Sequence, residues 1–348
     1  MNEHFTSKLS AWGKANPRNL PWIGVKDAYR IWLSEIILQQ TRVEQGLPYY
    51  SVFESQFPDI ISLAKAKDEE VMKLWEGLGY YSRARNMLKA ARIVAEEQAG
   101  YFPKTYETIK ALPGVGDYTA AAIASFAYGL PHAVVDGNVY RLLSRYFDLD
   151  IPIDVSAGKK AFQKLADSLL DIKNPGAWNQ AMMDFGSQVC RPRNPDCLIC
   201  PLQDQCQALI AGTISSRPLK SRKIKKKTRW FTFFVIRINN LVLVRKRTAK
   251  DVWRDLWEFP HIETTSAITI SELIESEEYQ NLFSNYNIKL NTQTDWKTQQ
   301  LSHQTIHGRF IEISSDSGKL VEALKTQAFS EDNMRNLAYP VLIREYIG

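Results

Sequence analysis

Six side chains stand out for what their types and spacing could do. Cys190, Cys197, Cys200 and Cys206 are separated by six, two and five residues and are the only cysteines in the chain. One compact loop therefore offers four thiolates to a single centre, a spacing open to a structural Cys₄ zinc, an iron–sulfur cluster or two disulfides. No cysteine is left to staple the rest of the chain, so the pattern suits a reducing compartment, which disfavours the disulfides. Glu35 is the lone acid of YRIWLSEIILQ (Tyr29–Gln39), a segment apolar almost all round. A helix of that kind is buried inside a bundle, where desolvation raises a carboxyl pKa and lets it carry a proton near neutral pH. Asp136, in VVDGNVYR, precedes the helical pattern NVYRLLSRYF, whose positive dipole end favours the ionised form. One protonated acid and one carboxylate in unlike environments can break a glycosidic bond: the acid serves the leaving group and the anion the cation developing on the sugar. Blander readings stand beside these, with Asp136 as a helix cap or the start of an Asp-Gly turn and Glu35 as a partner for Arg42.

The elements that must hold these groups divide the chain. At 348 residues the length suits two domains. From the N-terminus to about residue 210, apolar residues recur at three- and four-residue spacing between Pro and Gly punctuation, an all-α pattern. Residues 210–228 carry seven Lys or Arg and little that is apolar, as an exposed interdomain connector would. WFTFFVIRI and LVLVRKR then flank Asn239-Asn240, a strand–turn–strand signal that makes the remainder α+β. The expected domains are 1–209, the basic connector 210–228, and 229–348. The net charge of +6 is modest, but the clustering of its basic residues points to a polyanion such as nucleic acid. No apolar run approaches the roughly 20 residues of a membrane span, and the N-terminus lacks a signal-peptide pattern. The expectation is a soluble intracellular protein without a membrane partner, acting as a monomer.

In LPGVGDYTAAAIASFAYG (Leu112–Gly129), Gly114 and Gly116 form a tight turn before an Ala-rich helix, where backbone N–H groups can approach a phosphate. This segment resembles the helix–hairpin–helix of the DNA glycosylase superfamily, and VVDGNVYR follows at the family's distance to its catalytic aspartate. The cysteine spacing resembles the cluster loop of the endonuclease III and MutY glycosylases. LSEIILQQTRVEQ is similar to the adenine-glycosylase segment in which a Glu contacts the adenine ring. The resemblance implies an all-α helix–hairpin–helix glycosylase domain with a [4Fe–4S] cluster loop, the four cysteines being its ligands. It implies that Glu35 protonates adenine at N7 and that Asp136 stabilises the sugar cation. It further implies that Gln40 wedges into the base stack, that Tyr80 of GLGYYSRARN stacks beside the lesion, and that Trp22 and Gln180 line the adenine pocket. Arg191 and Arg193, inside the cysteine loop, could meet DNA phosphates. Relatives that also nick the backbone carry a Schiff-base Lys after Gly-Val-Gly-x; here that residue is Tyr118. Base removal without efficient strand cleavage is expected, with Tyr118 and Asn138 orienting Asp136 and the sugar. One departure is Ile23, where the family commonly has Arg or Gln after Leu-Pro-Trp.

WRDLWEFPHIE (Trp253–Glu263) and the strand pair resemble the Nudix-like domain with which adenine glycosylases recognise 8-oxoguanine. LSHQTIHGRF (Leu301–Phe310) resembles that domain's Phe-Ser-His segment, with Leu301 in place of Phe, so that Ser302 and His303 would touch the oxidised guanine. A working Nudix hydrolase needs a Glu-rich metal box. Glu272, Glu275, Glu277 and Glu278 do not follow that pattern and read as a solvated helix face. Together these readings predict a monofunctional glycosylase that binds duplex DNA with adenine opposite 8-oxoguanine or guanine and flips the adenine out. Its location would be the cytoplasm of a bacterium, or the nucleus or mitochondrion of a eukaryote. The rivals are an endonuclease III-like glycosylase/lyase, disfavoured by Tyr118, and a redox-sensing regulator, which leaves Glu35 unexplained. Nucleotide hydrolysis by the C-terminal half lacks its metal box.

Overall fold

The structure, a computed structural model, describes residues 3–221 and 226–348. Contacts group the chain into two compact units, Met1–Lys65 with Asn86–Lys223 and Ala66–Arg85 with Ile224–Gly348. No helix among the described residues is long and apolar enough to cross a membrane.

The first unit is helical. Its central helix, Ala28–Leu38, begins where the Asp27 carboxylate accepts from the N–H groups of Tyr29 and Arg30 (2.8 and 3.2 Å). Ile31, Trp32, Leu33, Ile36 and Ile37 bury its circumference, as the continuous apolar pattern requires. The helix stops at Leu38, and Gln40 turns the chain away in the left-handed region (φ 59°). The helix Asp117–Tyr128 is buried along Ala120, Ala121, Ala122 and Ala124; side chains this small let neighbouring backbones approach. It ends at Gly129, a left-handed cap (φ 64°). The helices Gly137–Tyr146, Ser156–Leu169 and Pro175–Gln188 share one core of Tyr146, Phe162, Trp178 and Phe185, and Phe5 of the first helix packs on the Tyr146 ring at 4.7 Å.

The connector is less free than its composition suggests. Arg217 pairs with Asp148 (2.8 Å), Ile153 N–H donates to Leu219 O (3.0 Å) and Ser221 N–H to Asp154 (2.8 Å), all within the first unit. Residues 222–225, the basic centre of the connector, lie outside the described residues.

The second unit is built on a sheet of β1 (Lys227–Ile238), β2 (Leu241–Lys246), β3 (Trp257–Glu258), β4 (His261–Thr264), β5 (Lys289–Gln293), β6 (Lys297–Gln300), β7 (Gln304–Ser314) and β8 (Gln327–Phe329). Its order is β3-β2-β1-β7-β5, with β4 on β1, β6 on β7 and β8 on β2. β1 and β7 run parallel, Lys227 opposite Gln304 through Arg237 opposite Ser314. Asn239, at φ 53°, makes the expected turn between β1 and β2. Alternate residues Phe234, Ile236, Ile311 and Ile313 pack under the helices Ile270–Glu275 and Glu277–Phe283, whose Glu272, Glu275, Glu277 and Glu278 are exposed. This α+β arrangement matches the expected fold class.

Ala66–Arg85 joins this second unit through polar contacts. Lys73 Nζ donates to the carbonyls of Arg335 (3.0 Å) and Leu337 (3.3 Å), and Glu76 accepts from Arg344 and from Tyr339 N–H, both at 2.9 Å. On the other sheet face, Gly308 lies where a Cβ would fall 2.5 Å from Leu342 Cδ2 and 3.2 Å from Phe233. Gly308→Ala is therefore expected to destabilise the second unit by about 1–3 kcal/mol, read as a lowered melting transition; an unchanged transition contradicts this packing.

Candidate active site

Glu35, Tyr118, Asp136 and Asn138 line one cavity of about 1060 Å³ within the first unit, together with Trp22, Ile23, Gln180 and Asp184. Four elements bring them there: the buried central helix, the start of the Ala-rich helix, the N-terminus of Gly137–Tyr146 and the helix Pro175–Gln188.

Glu35 is 8 % exposed. Burial pushes its carboxyl up to about 7; the Tyr118 hydroxyl, hydrogen-bonded to it, pulls the other way, and the Asp136 charge adds to the rise. Arg42, the partner that sequence spacing allowed, lies beyond the end of the helix as the residue preceding Val43–Gln56. Glu35 therefore bonds a neutral phenol. Tyr118 is itself held well above its ordinary pKa by burial and by both carboxylates, and so keeps its proton.

Asp136 is a helix cap, and its geometry leaves it more than that. Oδ1 accepts from the N–H groups of Asn138 (2.9 Å) and Val139 (2.7 Å), while Oδ2 accepts from the Asn138 side chain (2.6 Å) at the cavity wall. Burial raises its pKa; those three hydrogen bonds and the Arg141 charge oppose the rise. The helix end thus acts against a desolvation that the sequence reading had not weighed.

Behind Asp136 stands a relay that the sequence reading missed. Arg141 donates from Nη2 to Asn138 Oδ1 (2.7 Å) and to Gly186 O, and from Nε to Cys190 O (2.6 Å). Gly186 is required here, since a Cβ would come within 2.6 Å of Asn138 O. One turn on, Arg145 donates to Cys190 Sγ (3.4 Å) and to Arg191 O (2.7 Å). The available signal was the pair of arginines four apart on the helix Gly137–Tyr146.

The cysteine loop closes around one small cavity of about 30 Å³ lined by Cys190, Cys197, Cys200 and Cys206. All four are free of disulfides. Among the described residues no group of three or more His, Cys, Asp or Glu is placed to hold a single metal ion. Burial pushes the Cys200 thiol up to about 12 and also raises Cys197 and Cys206, so these sulfurs ionise only against a compensating cation. Arg191 and Arg193 are both exposed, and Arg191 pairs with Asp196 (2.5 Å) inside the loop.

Gly114 takes φ 78°, and a Cβ there would meet Asn86 Cβ at 2.8 Å, so only glycine fits the turn. Gly116 precedes the Ala-rich helix as its extended N-cap. Trp22 packs edge-on to Tyr50 (4.9 Å). Gln180 donates to Asp184 (2.8 Å), which is 5 % exposed and also pairs with Arg18 (3.2 Å); Asp184 and Arg18 were not singled out from sequence. Gln40 is exposed and does not line the cavity. Tyr80, Ser302 and His303 belong to the second unit. Tyr80, left-handed at φ 47°, donates its hydroxyl proton to Ser302 Oγ (2.6 Å), and Ser302 and His303 are exposed at the turn between β6 and β7.

The HhH-GPD superfamily of base excision DNA repair proteins matches residues 33–167, and the NUDIX domain matches residues 232–348. The adenine DNA glycosylase of Buchnera aphidicola subsp. Schizaphis graminum is 39% identical over 266 residues, 75% of each chain. The chain belongs to the adenine DNA glycosylase family. The human adenine DNA glycosylase is 40% identical over 232 residues, 62% of this chain and 42% of that one. Among solved structures, a thermostable thymine-DNA glycosylase superposes with a TM-score of 0.56 at 29% identity, covering 60% of this chain and 95% of that one. An endonuclease III in complex with DNA shares the fold at a TM-score of 0.53 and 20% identity.

In this DNA glycosylase the buried Glu35 carboxyl costs the folded state stability. Between the ordinary carboxyl pKa of 4.5 and the folded value of about 7, the native state binds more protons than the unfolded one, so stability falls as pH rises through that window. The full cost, on the order of 3 kcal/mol, is present above it. Glu35→Gln is expected to melt higher than the parent at about pH 8 and to converge with it near pH 4.5; a gap independent of pH contradicts the raised value.

Proposed function

We propose that this enzyme excises adenine opposite 8-oxoguanine or guanine in duplex DNA by hydrolysing its N-glycosidic bond. The observation that carries the proposal is a carboxylic acid poised near neutral pH in a large cavity whose wall also presents a hydrogen-bonded carboxylate. Departure of adenine needs a proton on the base and negative charge near the sugar. Glu35, protonated over half of the time at pH values below about 7, gives its proton to adenine N7. Tyr118 holds the carboxyl in place by its hydrogen bond.

Asp136 faces the sugar carbon and stabilises the cation that forms as the bond breaks; water then takes that carbon. Asn138 fixes the Oδ2 of Asp136, and Arg141 fixes Asn138. A Schiff-base lyase would place an amine where Tyr118 stands, and a phenol held above its ordinary pKa is no such nucleophile. Trp22 and Gln180 form the walls of the adenine pocket, with Ile23 supplying an apolar contact. Gly114 and Gly116 open helix-start N–H groups to a phosphate, Gln40 enters the opened stack, and flipping delivers the base to the cavity.

The four cysteines, free of disulfides and lining one cavity, are a donor set that suits the [4Fe–4S] cluster implied by the family resemblance. When bound, such a cluster supplies the cationic centre that ionises the thiols and makes the loop rigid. In the second unit, Tyr80, Ser302 and His303 are the surface that reads 8-oxoguanine.

Single-turnover excision from a duplex with one adenine opposite 8-oxoguanine tests the reading. Glu35→Gln and Asp136→Asn are expected to lose at least about 100-fold in rate while still binding the duplex. The parental rate should be flat in acid and fall as pH rises through about 7. Tyr118→Phe removes the hydrogen bond that lowers the Glu35 pKa and moves this limb to higher pH. Full activity in either carboxyl variant, or a limb that Tyr118→Phe shifts downward, overturns the assignment.

A further inference from the structure

The turn that presents Ser302 and His303 is carried by an unusually poor strand. β6 has four residues, pairs only with β7, and has no fully buried side chain. Such a strand does not fix the direction of its own tip by burial.

The turn itself is closed by Leu301 N–H on Gln304 O (2.8 Å), Lys227 N–H on His303 O (3.0 Å) and the Tyr80 hydroxyl on Ser302 (2.6 Å), and behind it a chain of side-chain contacts runs from the tip back into the sheet. Gln300 and Thr305, opposite each other, exchange hydrogen bonds at 3.0 and 3.2 Å. The next pair on the same face, Thr298 and His307, is joined from Oγ1 to Nδ1 at 2.8 Å. The His307 ring stacks on Trp230 of β1 at 3.8 Å with 16° between planes. Trp296, which leads into β6, closes on the same indole edge-on at 4.9 Å and 90°.

Beneath Trp296 lies Arg309. It is 5 % exposed, its guanidinium is 4.6 Å from the Trp296 ring centroid, and its Nε donates to Thr232 Oγ1 (3.0 Å). Its Nη2 is buried without a hydrogen-bond partner among the described residues. A buried cation in this position gains most from the indole face, so Trp296 and Arg309 hold one another. Trp230, Thr232, His307 and Arg309 share one sheet face by register, Trp230 opposite His307 and Thr232 opposite Arg309. That face is filled by the helix-packed core from Phe234 onward, which leaves the aromatic group as the brace at the hairpin end.

We propose that Trp230, Trp296 and His307, seated on Arg309, are the positioning element that aims Ser302 and His303 and thereby sets the preference for adenine opposite 8-oxoguanine over adenine opposite guanine. The proposal rests on the reading of Ser302 and His303 given above. None of the three rings touches the substrate in this account; they act through the hairpin.

The test uses the full chain and two readouts: hydrogen exchange of the 297–305 segment, and single-turnover rates on duplexes with adenine opposite 8-oxoguanine or guanine. Trp296→Ala and His307→Ala are expected to speed exchange in that segment while leaving β1 protected. They should lower the ratio of the two rates by about 5- to 10-fold, with the rate opposite guanine within about twofold of the parent. His307→Phe keeps the stacked ring and should recover most of the ratio, which a loss of general stability would not allow. Unchanged exchange, or equal losses on both duplexes, overturns the brace. If exchange rises in Trp296→Ala but the Ser302→Ala/His303→Ala double variant keeps the parental ratio, the reading of the tip fails instead, and the specificity role of the brace fails with it.

Discussion

The first unit buries a carboxyl group that pairs with no cation among the described residues. Glu35 sits in a helix that is buried almost all round, and the neutral phenol of Tyr118 is hydrogen-bonded to it. Had Arg42 reached it, the pair would have held the carboxyl ionised, as an opposite charge does. The helix ends at Leu38 instead, and Arg42 is carried off into the next element. Desolvation therefore wins, and the group keeps a proton that a solvent-exposed glutamate would have lost two pH units lower.

The second carboxylate is also pushed up by burial, but here the backbone and its neighbours work against that rise. Asp136 is buried as well, but two main-chain N–H groups, the Asn138 amide and the Arg141 charge all favour its anion. The same Arg141 ties Asn138 to the carbonyl of Cys190, and Arg145 reaches the sulfur of that cysteine. The cysteine loop is thus linked to Asp136 through the hydrogen bonds of Arg141 and Asn138.

Much of this was legible in sequence because it rests on local pattern. The lone acid in an apolar run, the glycine-bound hairpin, the cysteine spacing and the Asn-Asn turn each state their constraint within fewer than twenty residues. What was not legible depends on contacts distant in sequence. Arg141 reaches Gly186 and Cys190, 45 and 49 residues away, and Asp184 takes Arg18 from 166 residues away. The membership of Ala66–Arg85 in the second unit likewise rests on Lys73 and Glu76 meeting residues beyond 330. Composition likewise does not show that the basic connector meets Asp148 and Asp154 along Arg217 to Ser221, or that Arg191 pairs with Asp196.

The proposed chemistry turns on the protonation state of one side chain, and that state can be observed without any substrate. Infrared difference spectroscopy of the enzyme against its Glu35→Gln variant isolates the carbonyl band of the protonated Glu35 carboxyl as pH is varied. The account predicts a band that titrates away with a midpoint near 7, in place of the ordinary 4.5. A midpoint at the ordinary value, or no protonated band at neutral pH, would contradict it.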